Sequence, residues 1–222
     1  MTVSRLERGT DGVAKLFKFL FGLVIVVAII AVVGRLFFFE LARTKSYDMV
    51  PNLVAGDIFL VWTVHGGNLG EGDVALCENP EDPSELIALR VIGVPGDEVA
   101  FWQNHVRLND EVVQHSIEDP IMYIDDTSGE ELEYAVNVAE EYVGGRLYHV
   151  ALMDRAGGKD ARSVVVPDGQ FFVVGDNRNM ARDSRNFGTI PIESCIGKAF
   201  FLLWPGNDSG DLRRGPRLLS KL

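Results

Sequence analysis

The chain has 222 residues, 47% of them hydrophobic, and a formal net charge of −11. That length holds a membrane anchor plus one sizeable domain, and the acidic balance argues against a nucleic-acid partner, whose phosphates call for basic grooves. The first 45 residues hold seven Lys/Arg against three Asp/Glu, which leaves −15 for the remainder, so contact with anionic headgroups falls to the basic N-terminus.

In chain order, residues 1–18 carry Arg5, Arg8, Lys15 and Lys18 and precede an apolar run at 19–39 that only Arg35 interrupts. At a helical rise of about 1.5 Å per residue the run spans roughly 30 Å, the thickness of a bilayer's hydrocarbon core. One transmembrane helix at 19–39 is expected, with Arg35 snorkelling to the headgroups near its far end. Basic residues before the run predict a cytoplasmic N-terminus in the inner membrane and an extracytoplasmic domain, although Arg43 and Lys45 on the far side weaken the asymmetry. A cleaved signal peptide competes with this reading, but Phe37-Phe38-Phe39-Glu40 is a poor cleavage site. A buried core helix also competes, and the run lacks a polar face.

Beyond the anchor the chain reads as mainly β. Short β-branched and aromatic runs at 58–64, 74–77, 86–94, 98–102, 105–108, 163–166, 171–174 and 196–203 are separated by glycine turns. This density predicts a coiled antiparallel β-sheet with barrel-like character. Residues 40–115 and 161–205 form its two parts, 206–222 is a C-terminal tail, and the acidic stretch 116–160 is an inserted lobe or long excursion with a short helix near Glu130–Ala139. Cys77 and Cys195 lack metal-ligand spacing. Buried thiols are the favoured reading, with one disulfide left open. His65, His105, His115 and His149 follow no Ser-His-Asp order and read as solvated or core histidines. No cofactor or metal is expected.

Four motifs occur in order after the anchor. Ser46-Tyr47-Asp48-Met49-Val50-Pro51-Asn52-Leu53 leads to Gly56-Asp57. Arg90-Val91-Ile92-Gly93-Val94-Pro95-Gly96-Asp97 follows, then Gly175-Asp176-Asn177-Arg178-Asn179-Met180-Ala181-Arg182-Asp183-Ser184-Arg185, and Pro191 with Gly197-Lys198-Ala199. Each alone is a common turn pattern. Together they resemble the type I signal peptidases, over nearly the whole chain apart from 116–160. The resemblance implies that fold, a membrane location, a serine endopeptidase activity, and signal-peptide segments of exported proteins as partners.

The resemblance also assigns roles, and this sequence departs from them. The family's nucleophilic serine falls on Asp48, its general-base lysine on Leu89, and the serine that orients the lysine on Ala181. Its oxyanion-hole serine falls on Ser46, which is retained. A hydroxyl is a weak nucleophile until a base takes its proton, and a lysine does so only when apolar surroundings hold it neutral. Leucine can do neither. A carboxylate at position 48 faces a poor amide leaving group without an evident acid, and its charge opposes a developing oxyanion, whose donors it would occupy itself. Ser46 as a shifted nucleophile breaks the motif spacing and leaves Lys45 on the opposite face of an extended chain. Arg90, Asp176, Arg178, Asp183 and Arg185 read as architectural pairs beside turns.

Three functions follow: a catalytically inert homologue that binds extended peptides as an assembly or chaperone factor, alongside an active paralogue or assembly machinery; a working signal peptidase; and a structural membrane protein that reuses the scaffold. The first is the expectation.

Overall fold

The computed structural model describes residues 3–63, 68–102, 104–117, 120–125, 132–153, 161–206 and 220–222. His65, most of the tail and parts of 116–160 lie outside the described residues.

The chain divides into residues 1–39 and 40–222. The first unit is built on helix α1, Val3–Phe37. Its stretch Lys15–Gly34 has a mean hydropathy of 3.0 and is not buried by protein. Twenty residues that are apolar apart from Lys15 and Lys18, and that no protein buries, suit hydrocarbon surroundings. The helix is longer than expected at its start and ends at Phe37 rather than 39. Phe39 already belongs to a strand, a boundary that an unbroken apolar run conceals.

The second unit is mainly β and antiparallel. Its strands are β1 (Phe39–Arg43), β2 (Ile58–Trp62), β3 (Val74–Asn79), β4 (Asp82–Gly93), β5 (Glu98–Trp102), β6 (His105–Leu108), β7 (Glu111–Val112), β8 (Ser116–Ile117), β9 (Ile121–Asp125), β10 (Leu132–Val143), β11 (Arg146–Leu152), β12 (Ala161–Val165), β13 (Gln170–Val174), β14 (Ile190–Pro191), β15 (Cys195–Trp204) and β16 (Ser220–Lys221), with a four-residue helix α2 at Ser184–Phe187. The main sheet runs β1-β2-β15-β3-β4-β13-β14 with β16 beside β15. Smaller sheets run β12-β5-β6-β7 and β11-β10-β8, with β9 beside β10.

Alternation builds the core. In β2, Phe59 and Val61 point inward and join Met49, Leu53, Leu76, Leu89 and Leu202 in one apolar cluster. A second cluster joins Ile92, Phe172 and Val174 to Phe101 and Val106 of the β5–β6 hairpin and to Val143, Tyr148 and Val150. A third sets Tyr47, Val50 and Val54 against Ile121, Val136, Val138 and Ala151. The sheet within 116–160 thus shares its core with the rest of the domain.

Two expectations change here. Residues 132–139 are strand, not helix. The glutamates favour helix, but Val136 and Val138 point inward, and pairing with β9 and then β11 decides the conformation. Cys77 and Cys195 are not buried thiols, because β3 and β15 place them directly opposite each other and they form a disulfide.

Candidate functional site

The segment after β1 is pinned from two sides. Met49 and Leu53 sink into the first apolar cluster, while Tyr47 and Val50 sink into the third. Ser46 and Asp48 remain half-buried between these anchors. Both line a cavity of about 170 Å³ whose other wall includes Leu86, Ile87 and Ala88 of β4. Backbone bonds hold the turn: the Asn177 N–H donates to the Asp48 carbonyl at 2.8 Å, and Asn177 Nδ2 donates to the Tyr47 carbonyl at 3.1 Å.

Asp48 Oδ1 accepts the backbone N–H of Arg182 at 3.1 Å. The carboxylate therefore ties the turn to the loop that carries Ala181. Leu89 is 2% exposed within the first apolar cluster and pairs with Ala75 of β3. Ala181 is fully buried. Leu89 and Ala181 do not line the cavity, and Ala181 packs against Gly175. A Cβ added at Gly175 would lie 2.2 Å from the Ala181 Cβ and 2.6 Å from the Asp48 carbonyl oxygen, so only glycine fits this backbone. Positions 48 and 181 therefore meet at one glycine.

Lys45, next to Ser46 in the chain, is largely solvated and forms an ion pair with Glu85 at 3.3 Å. Arg182 forms a two-pronged pair with Glu81, and its hydrogen bonds hold the Glu81 carboxyl below its ordinary pKa.

Several of the motif residues also belong to a buried charge network. Arg90 Nε and Nη2 each reach Asp176 at 2.7 Å, Asn52 Nδ2 donates to Asp176 at 2.6 Å, and the Arg90 guanidinium lies 3.9 Å from the Tyr148 ring centre. Asp183 accepts from the Gly175 N–H and pairs with Arg185 while capping α2. Arg178 pairs with Glu141, which also meets His115 Nε2 at 2.5 Å and accepts from the Tyr148 hydroxyl at 3.0 Å. Burial opposes the Glu141 charge, yet Arg178 and the His115 hydrogen bond outweigh it and hold the carboxyl at about 2. Burial, reinforced by the Glu141 charge, pushes the Tyr148 phenol well above its ordinary value.

Glu141 escapes a motif reading because it lies outside every motif. Its signal is positional: on β10 it shares an inward face with Ala139 and Val143, and a glutamate in such a place needs a cation. His149 and Glu140 lie 3.6 Å apart at a partly exposed site, and His105 stacks on His115 with ring centres 4.7 Å apart. Among the described residues no group of three metal-ligating side chains occurs.

Comparison with known proteins agrees with the arrangement of motifs. The protein-family model described as "Signal peptidase, peptidase S26" matches residues 16–204. A protein named signal peptidase I from Streptococcus pneumoniae serotype 4 is 28% identical over 193 residues, covering 83% of this chain and 91% of its own length. Its namesake from Rickettsia akari is 32% identical over 180 residues, covering 74% of this chain and 62% of its own. A crystal structure of a signal peptidase I from Enterococcus faecalis V583 aligns with 58% of this chain and 94% of its own at a TM-score of 0.35 and 24% identity. With the family model spanning most of its length, this chain belongs to the signal peptidase S26 family.

Proposed function

We propose that this protein is a non-cleaving member of its family that binds extended peptide segments, those of signal peptides included, in the groove between residues 43–48 and β4. The observation that carries the reading is Leu89, a buried aliphatic side chain in an apolar cluster where the family's chemistry calls for an amine. Asp48 adds to it, since its carboxylate is engaged by the Arg182 N–H and carries negative charge where an acyl-transfer oxyanion needs donors.

The groove itself suits a peptide strand. β13 pairs with Arg90, Val91 and Gly93, and among the described residues no strand pairs with the same edge of β4 over residues 85–89. An extended segment entering there adds backbone hydrogen bonds to that edge, and the small half-buried Ala88 leaves room for small side chains. The disulfide between Cys77 and Cys195 supports an oxidising compartment for the domain, and with the N-terminal apolar helix it supports an inner-membrane protein with its domain outside.

The test uses the full-length detergent-solubilised protein, a membrane-inserted preprotein and a labelled peptide with small residues at the first and third positions before the usual cut. Saturable peptide binding with no preprotein cleavage is expected. Cleavage that survives Asp48→Ala would overturn the non-cleaving reading, and absence of saturable binding would favour a purely structural role.

A further inference from the structure

The two walls of the groove carry opposite charges where they meet. Lys45, on the segment leading to Ser46, pairs with Glu85 of β4 at 3.3 Å, joining positions 40 residues apart. Arg182, beside Ala181, pairs with Glu81 at the β3–β4 turn, joining positions 101 residues apart. In both pairs the cation belongs to the wall that carries positions 48 and 181, and the anion belongs to the β3–β4 hairpin. All four side chains line the same cavity. A chain entering between the walls must part both pairs.

Resting on the peptide-groove reading, we propose that Lys45–Glu85 and Arg182–Glu81 are closing contacts that hold the empty groove shut and select what enters it. Their exposure suits that role. With side chains from 38% to 78% exposed, the pairs are screened by water and salt, so they bias the groove without locking it. A neutral segment has to open them with its own backbone and side-chain contacts. A segment with its own charges can replace them, by setting an anion against Lys45 or Arg182 or a cation against Glu81 or Glu85.

The signature is a salt response with the unusual sign. Binding of an uncharged peptide that makes no ion pairs should tighten as salt rises, because screening weakens the contacts it must break. The experiment measures the fluorescence anisotropy of an end-capped peptide of small neutral residues with the full-length protein, at low and high salt. Wild type is expected to bind several-fold more tightly at high salt. The Glu81→Gln/Glu85→Gln variant should already bind about two- to tenfold more tightly than wild type at low salt and respond less to salt. The exchange Lys45→Glu with Glu85→Lys should restore the wild-type response. Equal affinity and equal salt response in wild type and the double variant would overturn the closing contacts while leaving the peptide groove standing. Absence of binding by both proteins at every salt concentration would overturn the groove and the contacts together.

Discussion

Under the proposed non-cleaving reading, Asp48, Leu89 and Ala181 stand where the family's resemblance puts the nucleophile, the base and the residue that orients the base. Loss of the nucleophile alone costs about 10⁶ in turnover in a serine protease. Asp48→Ser by itself should therefore stay inactive for want of a base, and Leu89→Lys should stay inactive for want of a hydroxyl. Asp48→Ser, Leu89→Lys and Ala181→Ser together should produce measurable cleavage of a membrane-inserted preprotein, because the apolar cluster around position 89 favours an uncharged amine. A dead triple variant that still melts cooperatively would place the defect in the groove or oxyanion donors. Glu141 acts on stability. Its carboxyl sits at about 2 against an ordinary 4.5, so the stability it contributes is present above the ordinary value and disappears as pH falls from about 4.5 towards 2. Thermal melts at about pH 6 should show Glu141→Gln destabilised by roughly 3–5 kcal/mol, since Arg178 is left buried without its anion. From about pH 5 to about pH 3 the wild type should lose stability more steeply than the variant; parallel curves would show that Glu141 does not govern the acid response.

Among the elements, β10 and the pair β3–β15 show where a sequence can be read and where it cannot. The strands around the Gly-Asp and Pro-Gly-Asp turns are legible because alternation and turn chemistry agree. In β10 they disagree: glutamates at 133, 140 and 141 imitate a helix, and the deciding partners β9 and β11 are tertiary. The proposed site divides in the same way. Positions 46, 48, 89 and 181 follow from motif spacing, whereas Glu141 and the cross-groove pairs depend on strand register and loop approach, which no spacing encodes. The disulfide is legible only as two cysteines 118 residues apart. Closing so long a loop restricts the unfolded chain, so reduction or Cys77→Ala/Cys195→Ala should lower stability by about 2–5 kcal/mol. Urea titrations with and without reductant measure this, and coincident transitions would show that the bond adds nothing.

For the whole molecule, the apolar helix and the β domain make different demands on their surroundings, one for hydrocarbon and the other for water. A reporter fused after Leu222 should be active only outside the cytoplasm, and protease added to spheroplasts should remove residues beyond Lys45; a protected domain would reverse the orientation. Gly175 has a consequence at this scale too. Its bare α-carbon is a spacing gauge, since the gap between the turn at 48 and the loop at 181 is the width of a backbone without a side chain. One methyl group there, in Gly175→Ala, would act as a shim that prises the two loops apart from behind, altering the groove while leaving every residue that lines it unchanged.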